Sequence, residues 1–194
     1  MNLPNKLTLL RIILVPFFAA ALLIDKIPHH YLIALLIFCA ASITDMLDGK
    51  IARKHNMVTD FGKFADPLAD KILVISAFAC FIELDLVGAA FIILVLFREF
   101  SVTSIRLIAA ENGKVVAANM WGKAKTVSQM IAIIVVLLNG YLLELSSMGV
   151  LNIPGAEGII TIINTSLLWI SAVLTVISGV IYIKDNFGFI KNAK

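Results

Sequence analysis

TDMLDGKIARKHNMVTDFGKFADPLADK, residues Thr44–Lys71, holds five of the thirteen acidic residues of the chain: Asp45, Asp48, Asp60, Asp66 and Asp70. Apolar runs flank it, AASI on one side and ILVISAFACF on the other. A carboxylate at helix-centre depth in a bilayer costs about 2.5–3.5 kcal/mol on insertion scales, so acids set among such runs point to a functional site. Asp45 and Asp48 are three residues apart, with Gly49 and Ala52 at the next positions of the same helical face. Gly62, Asp66 and Asp70 step by four. At 100° per residue each set forms one stripe. Two helices with these stripes turned inward would bring four carboxylates and two glycines to one place. Asp60 breaks the step and is left out of the set.

Carboxylates so close repel one another unless a cation sits among them. An all-oxygen ligand set suits a hard divalent ion, Mg²⁺ or Mn²⁺. Two such ions held by Asp45, Asp48, Asp66 and Asp70 suit in-line attack at phosphorus. The glycines remove side-chain bulk where a ligand approaches the backbone.

The stretch reads D-x-x-D-G-x-x-A-R, eight residues, then G-x-x-x-D-x-x-x-D. It resembles the signature of the CDP-alcohol phosphotransferase family at every fixed position: Asp45, Asp48, Gly49, Ala52, Arg53, Gly62, Asp66 and Asp70. The resemblance implies an integral membrane enzyme of six transmembrane helices, commonly a homodimer. Such an enzyme transfers a phosphatidyl-type group from a CDP-linked donor to an alcohol and releases CMP. It further implies that Gly49, Ala52, Arg53 and Gly62 line the nucleotide and phosphate side. Asp66 and Asp70 are then the candidate catalytic residues, with Asp70 as the base for the acceptor hydroxyl.

Composition agrees with a membrane location. The chain has 194 residues, of which 60% are hydrophobic, and its mean hydropathy is +0.99. Soluble domains lie nearer 45–50% apolar. Crossing a bilayer takes about 20 apolar residues. Six runs qualify, at about 7–24, 31–53, 65–83, 86–109, 122–143 and 159–182, with connections marked by Pro4, Pro28, Gly113 and LNIPGAEG. All 194 residues are read as one domain, all-α, with a short interfacial helix ahead of the first span. The first run is read as a retained helix and not a cleaved leader. Cys39 and Cys80 lie within apolar runs, as buried small hydrophobes do. Fifteen of the sixteen Lys and Arg residues fall on one side of this arrangement, and Lys26 on the other. By the positive-inside rule both termini, the aspartate stretch and the 106–125 connection face the cytoplasm, against opposite connections that carry Asp25, Glu83, Asp85, Glu144 and Glu157; the resemblance implies a bacterial cytoplasmic membrane.

A second constellation is basic. Arg98, Glu99 and Arg106 belong to REFSVTSIRL, and Lys123 and Lys125 to GKAKT. Arg98 and Arg106 differ by about 80° around a helix, so both can face one cavity. Arg gives bidentate contacts to phosphate, which suits a phosphate-bearing acceptor. The simpler reading is positive-inside anchoring, with Glu99 paired to Arg98 or Arg106 for structure alone. Near the N-terminus, Asn5, Thr8 and Arg11 form N-x-L-T-x-x-R. That segment, with Arg98-Glu99 and G-K-x-K-T-x-x-Q from Gly122 to Gln129, resembles the bacterial branch of the family whose acceptor is glycerol 3-phosphate; Ser104, ahead of Ile105-Arg106-Leu107, departs from its pattern. The implied reaction joins CDP-diacylglycerol and glycerol 3-phosphate, with Asn5, Thr8 and Arg11 on the donor side. Membrane lipids and a second copy of the chain are the implied partners, and nucleic acid is not one. Within the family the rivals are inositol phosphate, another phosphatidyl lipid such as phosphatidylglycerol, or serine as acceptor. A polytopic cation transporter is a rival of another class, but it would need carboxylates at mid-depth across several spans. The residues after about 130 are read as a span and a basic tail and nothing more.

Overall fold

The computed structural model describes residues 2–54, 60–111, 119–152 and 155–188. Within its helices the side chains at 3, 4, 46–54, 60–67, 70 and 111 lie outside that description. The turn expected at Gly113 and the solvated loop histidine expected at His55 fall outside it too.

The described residues form six helices: α1 (Leu3–Leu23), α2 (His30–Lys54), α3 (Asp60–Glu83), α4 (Ala89–Glu111), α5 (Met120–Ser147) and α6 (Ala156–Asp185). Each lies within a few residues of an apolar run found in the sequence. Among the described residues, α1, α5 and α6 are long and apolar enough to cross a membrane. In α2 the described apolar stretch is His30–Asp45, and the side chains after it lie outside the description. α3 and α4 carry acids and bases within otherwise apolar runs.

The separate interfacial helix expected at the N-terminus is not found: α1 runs unbroken from Leu3. Proline opens a helix without loss because the first amides have no intrahelical acceptor, and Pro4 sits in the first turn. Pro67 lies inside α3, which begins at Asp60. Asp66 and Asp70 are therefore one turn apart on a continuous helix.

Contacts between helices trace a closed circuit in the order α1, α2, α5, α6, α4, α3 and back to α1. α3 also touches α2 and α5 across the middle. Aromatic pairs join helices within a largely aliphatic core. Phe18 of α1 meets Phe38 of α2 with ring centroids 5.9 Å apart. Phe78 of α3 meets Phe91 of α4 edge-on at 4.8 Å. Ile133 and Leu137 of α5 and Leu168 of α6 complete this core, which Cys80 joins and against which Cys39 packs, both as thiols. Outward faces are also apolar, with Phe17, Leu36, Phe97, Ile162 and Val180 all exposed.

At the end away from the aspartate stretch, Glu144 closes the circuit. It accepts the amides of His30 at 3.0 Å and Tyr31 at 3.3 Å. The first amides of a helix lack intrahelical acceptors and sit at the positive end of its dipole, so a carboxylate belongs there. In the sequence Glu144 reads as an acid of the connection. α5 extends through Ser147 instead, which puts Glu144 in its last turn, buried against α2. Nearby, Gly140 lets α5 approach α2: a Cβ at this position would lie 2.3 Å from the Tyr31 ring.

Candidate active site

The acidic half of the site sits on two helices joined by five residues. Asp45, Asp48, Gly49, Ala52 and Arg53 lie in the last part of α2, and Gly62, Asp66 and Asp70 in the first half of α3. Asp45 is the one aspartate of the set whose side chain is described. Its Oδ1 lies 2.6 Å from Nη1 of Arg11, and its side chain is 45% exposed while that of Arg11 is fully buried. A buried guanidinium without a carboxylate partner is strongly destabilising, so α1 and α2 are tied together at the edge of the site. Asn5, Thr8 and Arg11 recur every three residues and are all buried on one face of α1. Among the described residues there is no cluster of three His, Cys, Asp or Glu side chains. The side chains of Asp48, Asp66 and Asp70 lie outside the description, and so does the meeting of the two stripes.

The basic half is a cleft of about 640 Å³ between α3, α4 and α5. This volume falls in the ordinary range for small-ligand sites. Five cationic side chains line it: Lys71, Arg98, Arg106, Lys123 and Lys125. All four basic residues singled out in the sequence therefore share one cavity. Lys71 was missed there. It follows Asp70 directly on α3, so it joins the acidic helix to the basic cleft. Its ammonium donates to Thr103 Oγ1 on α4.

Glu99 organises the cations. Its Oε1 accepts from Arg98 Nη1 at 2.9 Å and from Lys125 Nζ at 2.5 Å. One carboxylate is thus shared by two of the five positive charges. Arg98 Nη2 donates to Ser178 Oγ of α6 at 2.8 Å. Its Nε is buried, with no hydrogen-bond partner among the described residues. Arg106 Nε donates to Tyr182 Oη at 3.2 Å, and its guanidinium lies 5.5 Å from the centre of the Tyr182 ring. α5 starts at the mouth of the cleft. Asn119 caps it by accepting the Gly122 amide at 2.8 Å. Gly122 and Lys123 of the first turn line the cavity, adding the positive end of a helix dipole.

α6 overturns the expectation that the end of the chain is only a span and a tail. Asn164, Ser171, Thr175, Ser178 and Tyr182 are buried along one of its faces. Thr175 accepts from Gln129 of α5 at 3.0 Å. The signal was present in the sequence: Thr175, Ser178, Gly179 and Tyr182 recur at helical spacing inside an apolar run, which marks a packed face.

The described residues thus form a helical bundle with a basic cleft on the flank of the helix that carries Asp66 and Asp70, a setting suited to phosphate-bearing ligands. The family profile of CDP-alcohol phosphatidyltransferase matches residues 1–177. The chain belongs to that family. It is 40% identical over 203 aligned residues to the CDP-diacylglycerol--glycerol-3-phosphate 3-phosphatidyltransferase of Bacillus subtilis strain 168, covering 99% of this chain and 98% of that protein. A protein of the same name from Rickettsia felis is 38% identical over 94% of both chains. Another, from Haemophilus influenzae, is 36% identical over 94% of this chain and 92% of that protein.

Proposed function

We propose that this chain transfers a phosphatidyl group from CDP-diacylglycerol to glycerol 3-phosphate, as a phosphatidylglycerophosphate synthase. The carrying observation is the cleft, where five cations face one carboxylate on the flank of the helix that bears Asp66 and Asp70. That excess of positive charge suits an acceptor bearing a phosphate dianion, and the names of its relatives agree. Arg98, Arg106, Lys123 and Lys125 hold the acceptor phosphate and leave the attacking hydroxyl toward α3. Asp70 takes the hydroxyl proton. The new bond forms between that oxygen and the phosphorus bearing diacylglycerol, and the bond to CMP breaks.

Asp45, Asp48, Asp66 and Asp70 would hold the divalent ions, Mg²⁺ or Mn²⁺. What is described of Asp45 fits this role: one oxygen is fixed by Arg11 and much of the carboxylate stays open. Bound ions would neutralise the diphosphate and the charge developing on the leaving group. Asn5, Thr8, Gly49, Ala52, Arg53 and Gly62 belong to the donor side. Arg11 acts there as a positioning residue for Asp45.

All six helices span the membrane in this reading. Each has at least 21 residues, enough at 1.5 Å per residue for a hydrocarbon core of about 30 Å. Both termini and the site face the cytoplasm, the whole chain is one domain, and the working form is a homodimer. The test is CMP release by purified protein with competing acceptors. Glycerol 3-phosphate is expected to be preferred. Preference for serine, inositol or unphosphorylated glycerol would reject the phosphate pocket, and preference for inositol phosphate would keep the pocket and change its substrate.

A further inference from the structure

The face of α6 behind the cleft touches both arginines. Ser178 is fully buried and accepts from Arg98 Nη2 at 2.8 Å. One turn on, Tyr182 is also buried and accepts from Arg106 Nε at 3.2 Å. Between them Gly179 leaves room for the Arg98 stem, since a Cβ there would come within 3.0 Å of Arg98 Cγ. Buried hydroxyls in a helical membrane protein commonly join helix to helix as neutral pairs. Here they meet two cations that line the cavity. Arg98 is thereby held at both terminal nitrogens, by Glu99 and by Ser178. The Arg106 bond uses Nε and leaves both terminal nitrogens of the fork outside that contact. A guanidinium reads phosphate by the direction of its fork. Fixing that direction in advance cuts the ordering cost at binding.

We propose that α6 sets the affinity for the acceptor, with Ser178 and Tyr182 as positioning residues for Arg98 and Arg106 and Gly179 as the space one of them needs. This rests on the cleft being the acceptor phosphate site. Neither Ser178 nor Tyr182 needs to touch substrate. They act by presenting two phosphate-binding forks in a fixed orientation, so their loss weakens acceptor binding and leaves the donor side alone.

The experiment uses the full-length enzyme in detergent–lipid micelles, reading CMP release against glycerol 3-phosphate at saturating CDP-diacylglycerol. Ser178→Ala and Tyr182→Phe each remove one oxygen. Each is expected to raise the acceptor KM about 3–10-fold, the effect of a weakened contact to a charged group, with kcat, donor KM and melting temperature near wild type. Ser178→Thr restores a hydroxyl and is expected to recover much of the acceptor affinity. In an Arg98→Ala background Ser178→Ala is expected to add nothing, and likewise Tyr182→Phe on Arg106→Ala, because each pair acts as one unit. If Arg98→Ala and Arg106→Ala raise the acceptor KM but the two α6 variants do not, the inference fails and the phosphate cleft stands. A loss of kcat and melting temperature without an acceptor KM change would make α6 a packing element and also overturn the inference. If the arginine variants themselves leave the acceptor KM unchanged, the phosphate cleft fails, and the inference with it.

Discussion

Asp45 and Asp70 belong to one motif but are expected to respond differently to the same change. Asp45 lies beside the buried Arg11 at 2.6 Å, so Asp45→Asn is expected to weaken binding of CDP-diacylglycerol itself. Asp70→Asn is expected to lower turnover about 10²–10⁴-fold, the usual contribution of a general base, while sparing much of the donor affinity. Equal loss of donor binding in both variants would make Asp70 a ligand only. At the cleft, Arg98→Ala or Arg106→Ala is expected to lower kcat/KM for glycerol 3-phosphate roughly 10–100-fold, since a charge-assisted contact contributes about 1.5–3 kcal/mol. Donor KM should hold steady in the same titrations. Four of the cleft cations were legible in the sequence, because they recur within two short basic segments that share one cavity; the acidic motif is legible there as a pattern of like spacing. The contacts of Lys71 and Ser178 were not legible. A lone lysine near a helix end reads as anchoring, and the spacing of Ser178 with Thr175 and Tyr182 marks a packed face without naming what packs there. Their partners, Thr103 and Arg98, are 32 and 80 residues away.

At the scale of helices, hydropathy gave six elements close to their observed ends, while the joints between elements were hidden. Glu144 looked like a loop acid because nothing in its neighbourhood names the amides of His30 and Tyr31, more than a hundred residues earlier. Gly140 carries no signal in the sequence, because its role exists only where α5 lies against α2. Gly140→Ala would put a methyl group into the Tyr31 ring. Overpacking of this kind costs about 1–3 kcal/mol, so melting of the purified protein should come several degrees earlier, with acceptor KM unchanged because this joint is at the far end from the cleft. An unaltered melting temperature would mean that Tyr31 moves aside freely. The N-terminal helix teaches a related point: Pro4 looks like a break in sequence but is the natural first turn of α1.

For the whole molecule, the charge asymmetry makes a direct expectation about sidedness. In a Cys39→Ala, Cys80→Ala background, single cysteines at Lys54 and Lys114 should resist an impermeant thiol reagent applied to intact cells, and one at Gly155 should react. The reverse pattern would turn the protein over in the membrane. Activity should vanish in EDTA and return with added Mg²⁺ or Mn²⁺; full turnover after dialysis against chelator would dismiss the metal. The helix circuit also has a consequence for how the protein is made. Arg98 and Ser178 are neighbours in space but 80 residues apart in the chain, so at ribosomal rates of 5–20 residues per second roughly 4–16 s separate their synthesis. With all six helices spanning the membrane as proposed, α4 enters the lipid through that interval carrying an arginine whose α6 partner does not yet exist. Glu99, the very next residue, leaves the ribosome with it and bonds it at 2.9 Å, offsetting the charge that the translocon would otherwise have to admit alone. Glu99→Gln chains should therefore reach the membrane fraction in lower yield, as a defect of insertion that precedes any question of catalysis.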